Sequence, residues 1–406
     1  MSVEMKTRSP QSHNQDFGLS LYMRTPFRSP FRKAIFTLHK WVGAVVALWL
    51  LTMSLSGVSL VFHDEFENIL CPPPSIKAGE KRVGFEELIE NTQKKYNGYK
   101  VTGFICPRSS SLPVQIFAVS DKDKKLALNA DPFTGEILGP KKESEVLEFL
   151  SELHHNLLNG KTGRAVNGVG ATCLFGLVCT GIIVWWRGLK DWASGFRFDF
   201  KGNFRRFNWN LHSAVGIWAL PFLLLWSVSG FYFGFTEFFE KSLNVVFPVS
   251  GQKQLAPPDE KIALEENQAG SMAIAAMHRA KPNLDKMVQT AIAAAPREDY
   301  VERIAFPDKR RPTLRIWLSN SLSAESTVKT QVFLDPKTAE VVAVAPSDAA
   351  PIGDVILQTM TRLHFGSFWG LASKSVWIFI GLIPGIMAVS GLSLFVHGIT
   401  NKRARR

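Results

Sequence analysis

The chain has 406 residues, 46% of them hydrophobic, and a formal charge of +12 from 47 Lys and Arg against 35 Asp and Glu. Its apolar residues gather into four uncharged blocks, near 41–62, 166–186, 211–235 and 376–396, each as long as the roughly 20 residues a helix needs to cross a bilayer. An ordinary soluble protein is excluded, and so is a nucleic-acid binder, because the basic clusters flank the apolar blocks.

In chain order, residues 1–32 form a tail rich in Ser, Pro and Gln that reads as disordered. A first span over 33–63 follows, too long in its apolar core for a cleavable signal peptide. The segment 64–152 opens with a helical pattern, Phe85 to Tyr96, continues with alternating strands and an Asp131-Pro132 turn, and ends in an amphipathic helix from Glu143 to Leu158. The end of that helix and a second span occupy 153–187. A basic loop over 188–208 carries Lys190, Arg197, Lys201, Arg205 and Arg206. The third span covers 209–240, with Leu211 to Phe235 as one 25-residue crossing. The segment 241–355 repeats the outer pattern: a helix from Ala269 to Ala280, strands, a hairpin tip at Asp308-Lys309-Arg310-Arg311, an Asp335-Pro336 turn and an amphipathic helix from Gly353 to His364. An interfacial helix and fourth span fill 356–398, and 399–406 is a basic tail. Positive charge concentrates in the N-terminal tail, the central loop and the C-terminal tail, which the positive-inside rule places together on the cytoplasmic side. Both termini are then cytoplasmic, and the two long polar segments lie outside.

Of the four cysteines, Cys173 and Cys179 read as packing residues in a span, whereas Cys71 and Cys106 could form one disulfide in an oxidising compartment. Several chemistries lack their motifs. No CxxCH occurs for covalent haem, no GxGxxG or GxxxxGK[ST] for nucleotides, and no HExxH or Ser-His-Asp layout for hydrolysis.

The informative feature is a repeat. Leu38-His39 and Leu211-His212 each precede a [Ser/Thr]-Gly pair, Ser56-Gly57 and Ser229-Gly230, at the same distance. Leu153-His154 and Leu363-His364 likewise precede Thr180-Gly181 and Ser390-Gly391, with Gly160 and Gly370 six residues after each His. The expected fold is a membrane α-helical four-span bundle with two α+β outer domains, an internal duplication with a pseudo-two-fold along the membrane normal. Under that axis His39 faces His212 near one membrane face and His154 faces His364 near the other. His63, His155 and His397 also sit near span ends without counterparts, and could replace a member of a pair or line a substrate site.

The Leu-His pairs, the [Ser/Thr]-Gly inside each span and the Asp-Pro turns resemble those of the PepSY-associated transmembrane proteins over roughly residues 32–400. Within them the chain is similar to the FoxB-like inner-membrane ferric-siderophore reductases. The resemblance implies periplasmic PepSY-like outer domains, a bacterial inner-membrane location, and haem. Imidazoles from both sides suit a low-spin, electron-transferring porphyrin, so two haem b groups are expected, on His39/His212 and His154/His364. Arg205, Arg206, Lys40 and Arg164 are candidates for the propionates, and the spans' Trp residues for porphyrin contacts. The expected partners are a ferric siderophore or other Fe(III) chelate, and a cytoplasmic flavin, flavoprotein or quinol as donor. The competing expectation is a non-enzymatic module that binds peptides or regulates a protease or transporter.

Overall fold

A computed structural model describes residues 29–122, 124–188, 190–197, 202–249, 283–308, 312–320 and 329–403. Residues 1–28, the helix expected over 269–280, Lys309 to Arg311 and the last three residues lie outside these. In order the elements are α1 (Pro30–Leu60), α2 (His63–Leu70), α3 (Phe85–Lys95), β1 (Tyr99–Ile105), β2 (Val114–Ser120), β3 (Lys125–Ala130), β4 (Ile137–Pro140), α4 (Glu145–Asn156) and α5 (Gly160–Trp185). The second half has α6 (Phe204–Trp218), α7 (Leu220–Gly234), α8 (Thr236–Val246), α9 (Leu284–Ala294), β5 (Tyr300–Ala305), β6 (Leu314–Ser319), β7 (Thr330–Leu334), β8 (Val341–Ala345), α10 (Ile352–Phe365), α11 (Gly370–Gly381) and α12 (Ile383–Arg403). The chain divides into two units, one of Met1–His63, Glu148–Thr236 and Met360–Arg406, the other of Asp64–Leu147 and Glu237–Thr359.

The first unit is helical. Pro30–Leu60, Gly160–Trp185 and Gly370–Thr400 are each long and apolar enough to cross a membrane, and α6 with α7 makes a fourth if the bent pair is one span. The uninterrupted third span expected from Leu211 to Phe235 is corrected: the chain turns by 67° between α6 and α7. Pro221, in the first turn of α7, has no N–H to donate, and its ring collides with the carbonyl four residues back, so one helix ends and another begins. A second break falls at Leu382, before Pro384. There Ser54 Oγ donates to the Gly381 carbonyl at 2.6 Å, a side chain from a neighbouring helix satisfying backbone that the break exposes. Small side chains set the helix contacts: Ala47 and Ala388 pack with Leu50 and Leu174, and Ala219 with Val178 and Leu223. They allow close approach where lipid supplies no hydrophobic drive.

The second unit is α+β, and here the expectation of two separate domains is corrected. The two outer segments share one eight-stranded antiparallel sheet, ordered β4-β3-β2-β1-β5-β6-β7-β8, and one core that includes Phe104, Ile116, Leu128, Ile304, Ile316 and Leu334. The junction is β1 against β5, Phe104 opposite Ile304. Beyond it, Cys106 N–H donates to the Glu302 carbonyl at 2.9 Å and Phe306 N–H to the Thr102 carbonyl at 3.0 Å. Thr102 and Glu302 occupy matching register shifts in the two strands. An unpaired edge strand is an open template for association, and each four-stranded half covers its edge with the other. The helices exchange caps as well. Asp285 of α9 accepts from Phe85 and Glu86 N–H at the start of α3, while Glu86 accepts from Leu284 N–H at the start of α9. Carboxylates near helix N-termini satisfy orphan donors and complement the dipole. Cys71 and Cys106 are separate free thiols, which corrects the possible disulfide.

Candidate functional site

Four of the helical unit's histidines share one local arrangement. His39 Nδ1 lies 2.9 Å from Thr180 Oγ1, His154 Nδ1 2.9 Å from Ser56 Oγ, His212 Nδ1 2.8 Å from Ser390 Oγ, and His364 Nδ1 2.6 Å from Ser229 Oγ. Each hydroxyl is the one in a [Ser/Thr]-Gly pair, and each belongs to a different helix from its histidine.

The hydroxyls' own bonds assign the proton. Ser56, Thr180, Ser229 and Ser390 each donate to the carbonyl four residues earlier, at 2.6–2.7 Å. A hydroxyl has one hydrogen, so with that spent its oxygen can only accept. Nδ1 is therefore the donor in all four rings. In a neutral imidazole this leaves the lone pair on Nε2. In three of the four sites the glycine after the hydroxyl lies against the ring, whereas Gly230 lies against Ala171. A Cβ at Gly57, Gly181 or Gly391 would stand 3.0, 3.5 or 3.1 Å from Cε1 of His154, His39 or His212.

The two expected pairs differ in how near their members lie. The rings of His154 and His364 are neighbours, their centroids 6.5 Å apart and their planes 64° apart. His39 and His212 are electrostatic neighbours, with no ring contact between them among the described residues. His154 lies in the last turn of α4 and His364 in that of α10, and in both cases the chain passes into the next helix through left-handed residues. These are Leu157, Leu158 and Gly160 in one turn, Gly366 and Gly370 in the other. The glycine six residues after each His is thus the first residue of the following helix, in a conformation that costs a side chain energy.

The remaining candidates sit differently. His155 is exposed, its Nδ1 3.1 Å from Ser151 Oγ on its own helix, its ring 5.6 Å from that of His154. His63 is an electrostatic neighbour of His155. His397 is exposed at the far end of α12 and donates from Nδ1 to the Ser393 carbonyl at 2.9 Å. His155 and His397 are thus held within their own helices, not by a [Ser/Thr]-Gly hydroxyl of another. Of the proposed propionate partners, Lys40 lies over the rings of Trp41 and Phe395, Arg164 bonds Asn156, and the Arg206 backbone N–H is capped by Asn203.

Residues not singled out from sequence support the site. Asn167 donates to the carbonyls of His154 and His155 and accepts from Trp49 Nε1 at 2.8 Å. At the positions of Trp49 and Asn167 in the other half stand Phe222 and Trp377, whose rings meet edge-on 5.8 Å apart. Phe233 stands edge-on to His364 at 5.1 Å.

Two neighbouring imidazoles with Nε2 lone pairs, as at His154 and His364, form a two-nitrogen donor set. That suits a metal whose remaining ligands come with it, and among the described residues no cluster of three or more His, Cys, Asp or Glu offers a site built wholly from side chains. Among curated proteins none matches the chain. The family described as PepSY-associated TM region matches residues 36–397, a stretch that holds all four histidines and all four hydroxyls, and the chain belongs to that family.

Proposed function

We propose that the chain is a duplicated, four-span haem protein of the bacterial inner membrane, and that it reduces Fe(III) in a siderophore or similar chelate on the outer side. One haem is held by His39 and His212, the other by His154 and His364. The observation that carries the reading is the fourfold His–hydroxyl bond, which fixes each ring and keeps Nε2 available. A ligand histidine ordinarily donates its other N–H to an acceptor that sets its tautomer and raises its basicity.

The spacing of His154 and His364 fits. Two iron–nitrogen bonds of about 2.0 Å, plus about 1 Å from each nitrogen to its ring centre, put the centroids roughly 6 Å apart; they lie 6.5 Å apart. Phe233 and Phe365 beside His364 supply apolar surroundings. Bound there, haem supplies a one-electron Fe(III)/Fe(II) couple. The histidines hold and orient the group, and the hydroxyls keep the rings from turning. No general acid or nucleophile is required of the protein. The substrate class rests on the resemblance to ferric-siderophore reductases: hard oxygen donors hold Fe(II) less well than Fe(III), so reduction loosens the chelate.

An absorption spectrum of the purified protein tests the reading. A Soret band with sharp α and β bands on reduction is expected. A folded protein, expressed with haem supplied, that shows neither would overturn it.

A further inference from the structure

A cavity of about 430 Å³ opens between α1, α6 and α12 of the helical unit. Most of its wall is aliphatic, with Leu51, Leu211 and Val389 contributed one by each helix. Among the described residues no charged side chain lines it. One end differs: Phe204, Asn208, Ser390 and Ser393 meet there. Asn208 Nδ2 donates to the Ser390 carbonyl at 3.0 Å, and Ser390 Oγ is the hydroxyl that accepts from His212. One turn beyond Ser393 stands His397. It donates from Nδ1 to the Ser393 carbonyl, so a neutral ring carries its lone pair on Nε2, and its centroid lies 6.1 Å from that of Phe204. Ser390 and His397 are about 10 Å apart along the helix at roughly 1.5 Å per residue.

The cavity thus joins an apolar shaft to an end with an aromatic face and an amide oxygen, and the His397 imidazole acceptor stands one turn beyond its lining, beside Phe204. We propose that it binds an isoprenoid quinol, the hydroxylated ring against Phe204 within reach of Asn208 and His397, the tail along the aliphatic wall. A phospholipid is the poorer occupant. Its anionic headgroup finds no cationic partner among the described lining residues, and its acyl chains use none of the polar groups at that end. The site deepens the reading above, whose electron donor it names. It rests on that reading only for the use made of the electrons, because binding itself needs no haem.

The test uses the full chain in detergent micelles and an azido-substituted benzoquinone with a decyl tail, photolysed and mapped by mass spectrometry. Label is expected within 204–211 and 386–397, displaced by unmodified decyl-benzoquinone and not by phosphatidylglycerol. Val389→Trp, which fills the shaft from a half-exposed position, should abolish it. His397→Ala, at an exposed residue, should raise the half-saturating concentration about tenfold, the loss of roughly one hydrogen bond. Label spread over other spans, equal displacement by phosphatidylglycerol, or indifference to both substitutions would overturn the proposal. The spectrum of the same samples separates the two readings. A Soret band without specific label removes the quinol site and leaves the haem, and specific label without a Soret band does the reverse.

Discussion

The Ser and Thr hydroxyls bear on the histidines more directly than any aromatic neighbour. Each hydroxyl faces one Nδ1 while spending its own hydrogen within its helix. Removing one leaves a ring free to rotate and an N–H without an acceptor. Ser229→Ala should therefore weaken haem binding at the His154/His364 pair by about 10–100-fold, the usual cost of losing such a supporting bond. Ser229→Thr should restore it, since Thr180 already performs this role for His39. Haem titration into the apoprotein measures both, and equal affinity of the alanine and wild-type proteins would dismiss the lock. The histidines and the [Ser/Thr]-Gly pairs were both legible in the sequence, because their spacing recurs. Their partnership was not. Spacing set Ser56 beside His39 on one helix, where 17 residues put them about 26 Å apart, and only the packing of α1 on α4 and α5, of α6 on α12 and of α7 on α10 gives each His a hydroxyl from another helix. The choice between His154 and His155 follows from helix periodicity: adjacent residues point about 100° apart, so one faces the bundle and the other stays exposed.

Glu302 joins the two strand sets of the outer unit at its register shift. It takes hydrogen bonds from Lys329 at 2.7 Å and, across the junction, from Arg108 at 3.0 Å. Partial burial pushes its carboxyl upward, but the bonds from Lys329, Ser319 and Arg108 outweigh that and hold it below its ordinary value. A carboxyl depressed in the folded state contributes stability above its unfolded value, about 4.3, and loses it as pH falls through the folded value. Glu302→Gln should accordingly lower the melting temperature of the outer unit by about 2–4 °C at pH 7, for roughly 1 kcal/mol at a partly exposed site. The gap should close near pH 3, and a gap that is the same at both pH values would deny the ionic part. Cys106, beyond the end of β1, has its thiol pushed up to about 12 by burial against the opposing pull of Arg82. Maleimide at pH 8 should leave it unmodified in the folded protein and label it after unfolding. At this scale strands and turns were readable from alternation and Asp-Pro, whereas the pairing of β1 with β5 was not. Nothing local distinguishes an edge strand that stays exposed from one covered by its counterpart 200 residues away. The break at Pro221 was readable, since proline inside an apolar run forbids a continuous helix.

For the whole chain, the arrangement makes the two histidine pairs separable. Those at one end of the bundle depend on hydroxyls from α5 and α12, those at the other on hydroxyls from α1 and α7. On the proposed reading, a substitution within one pair would remove an axial ligand there and touch no ligand or lock of the other. His364→Ala and His154→Ala should each halve the haem bound per protein, and the double variant should lose no more than either alone. His39→Ala and His212→Ala should behave the same way toward the remaining half. Combining one from each pair, as in His39→Ala with His364→Ala, should empty the protein. His155→Ala and His397→Ala should keep the full complement, because each of these rings bonds within its own helix, and His63→Ala, outside both pairs, should do the same. Pyridine haemochrome measurements on the seven single variants give the stoichiometry directly. Loss in His155→Ala with retention in His154→Ala would exchange the ligand at that end. Retention in all four paired variants would end the assignment of these histidines to a cofactor, and would leave the hydroxyl bonds as devices for packing helices.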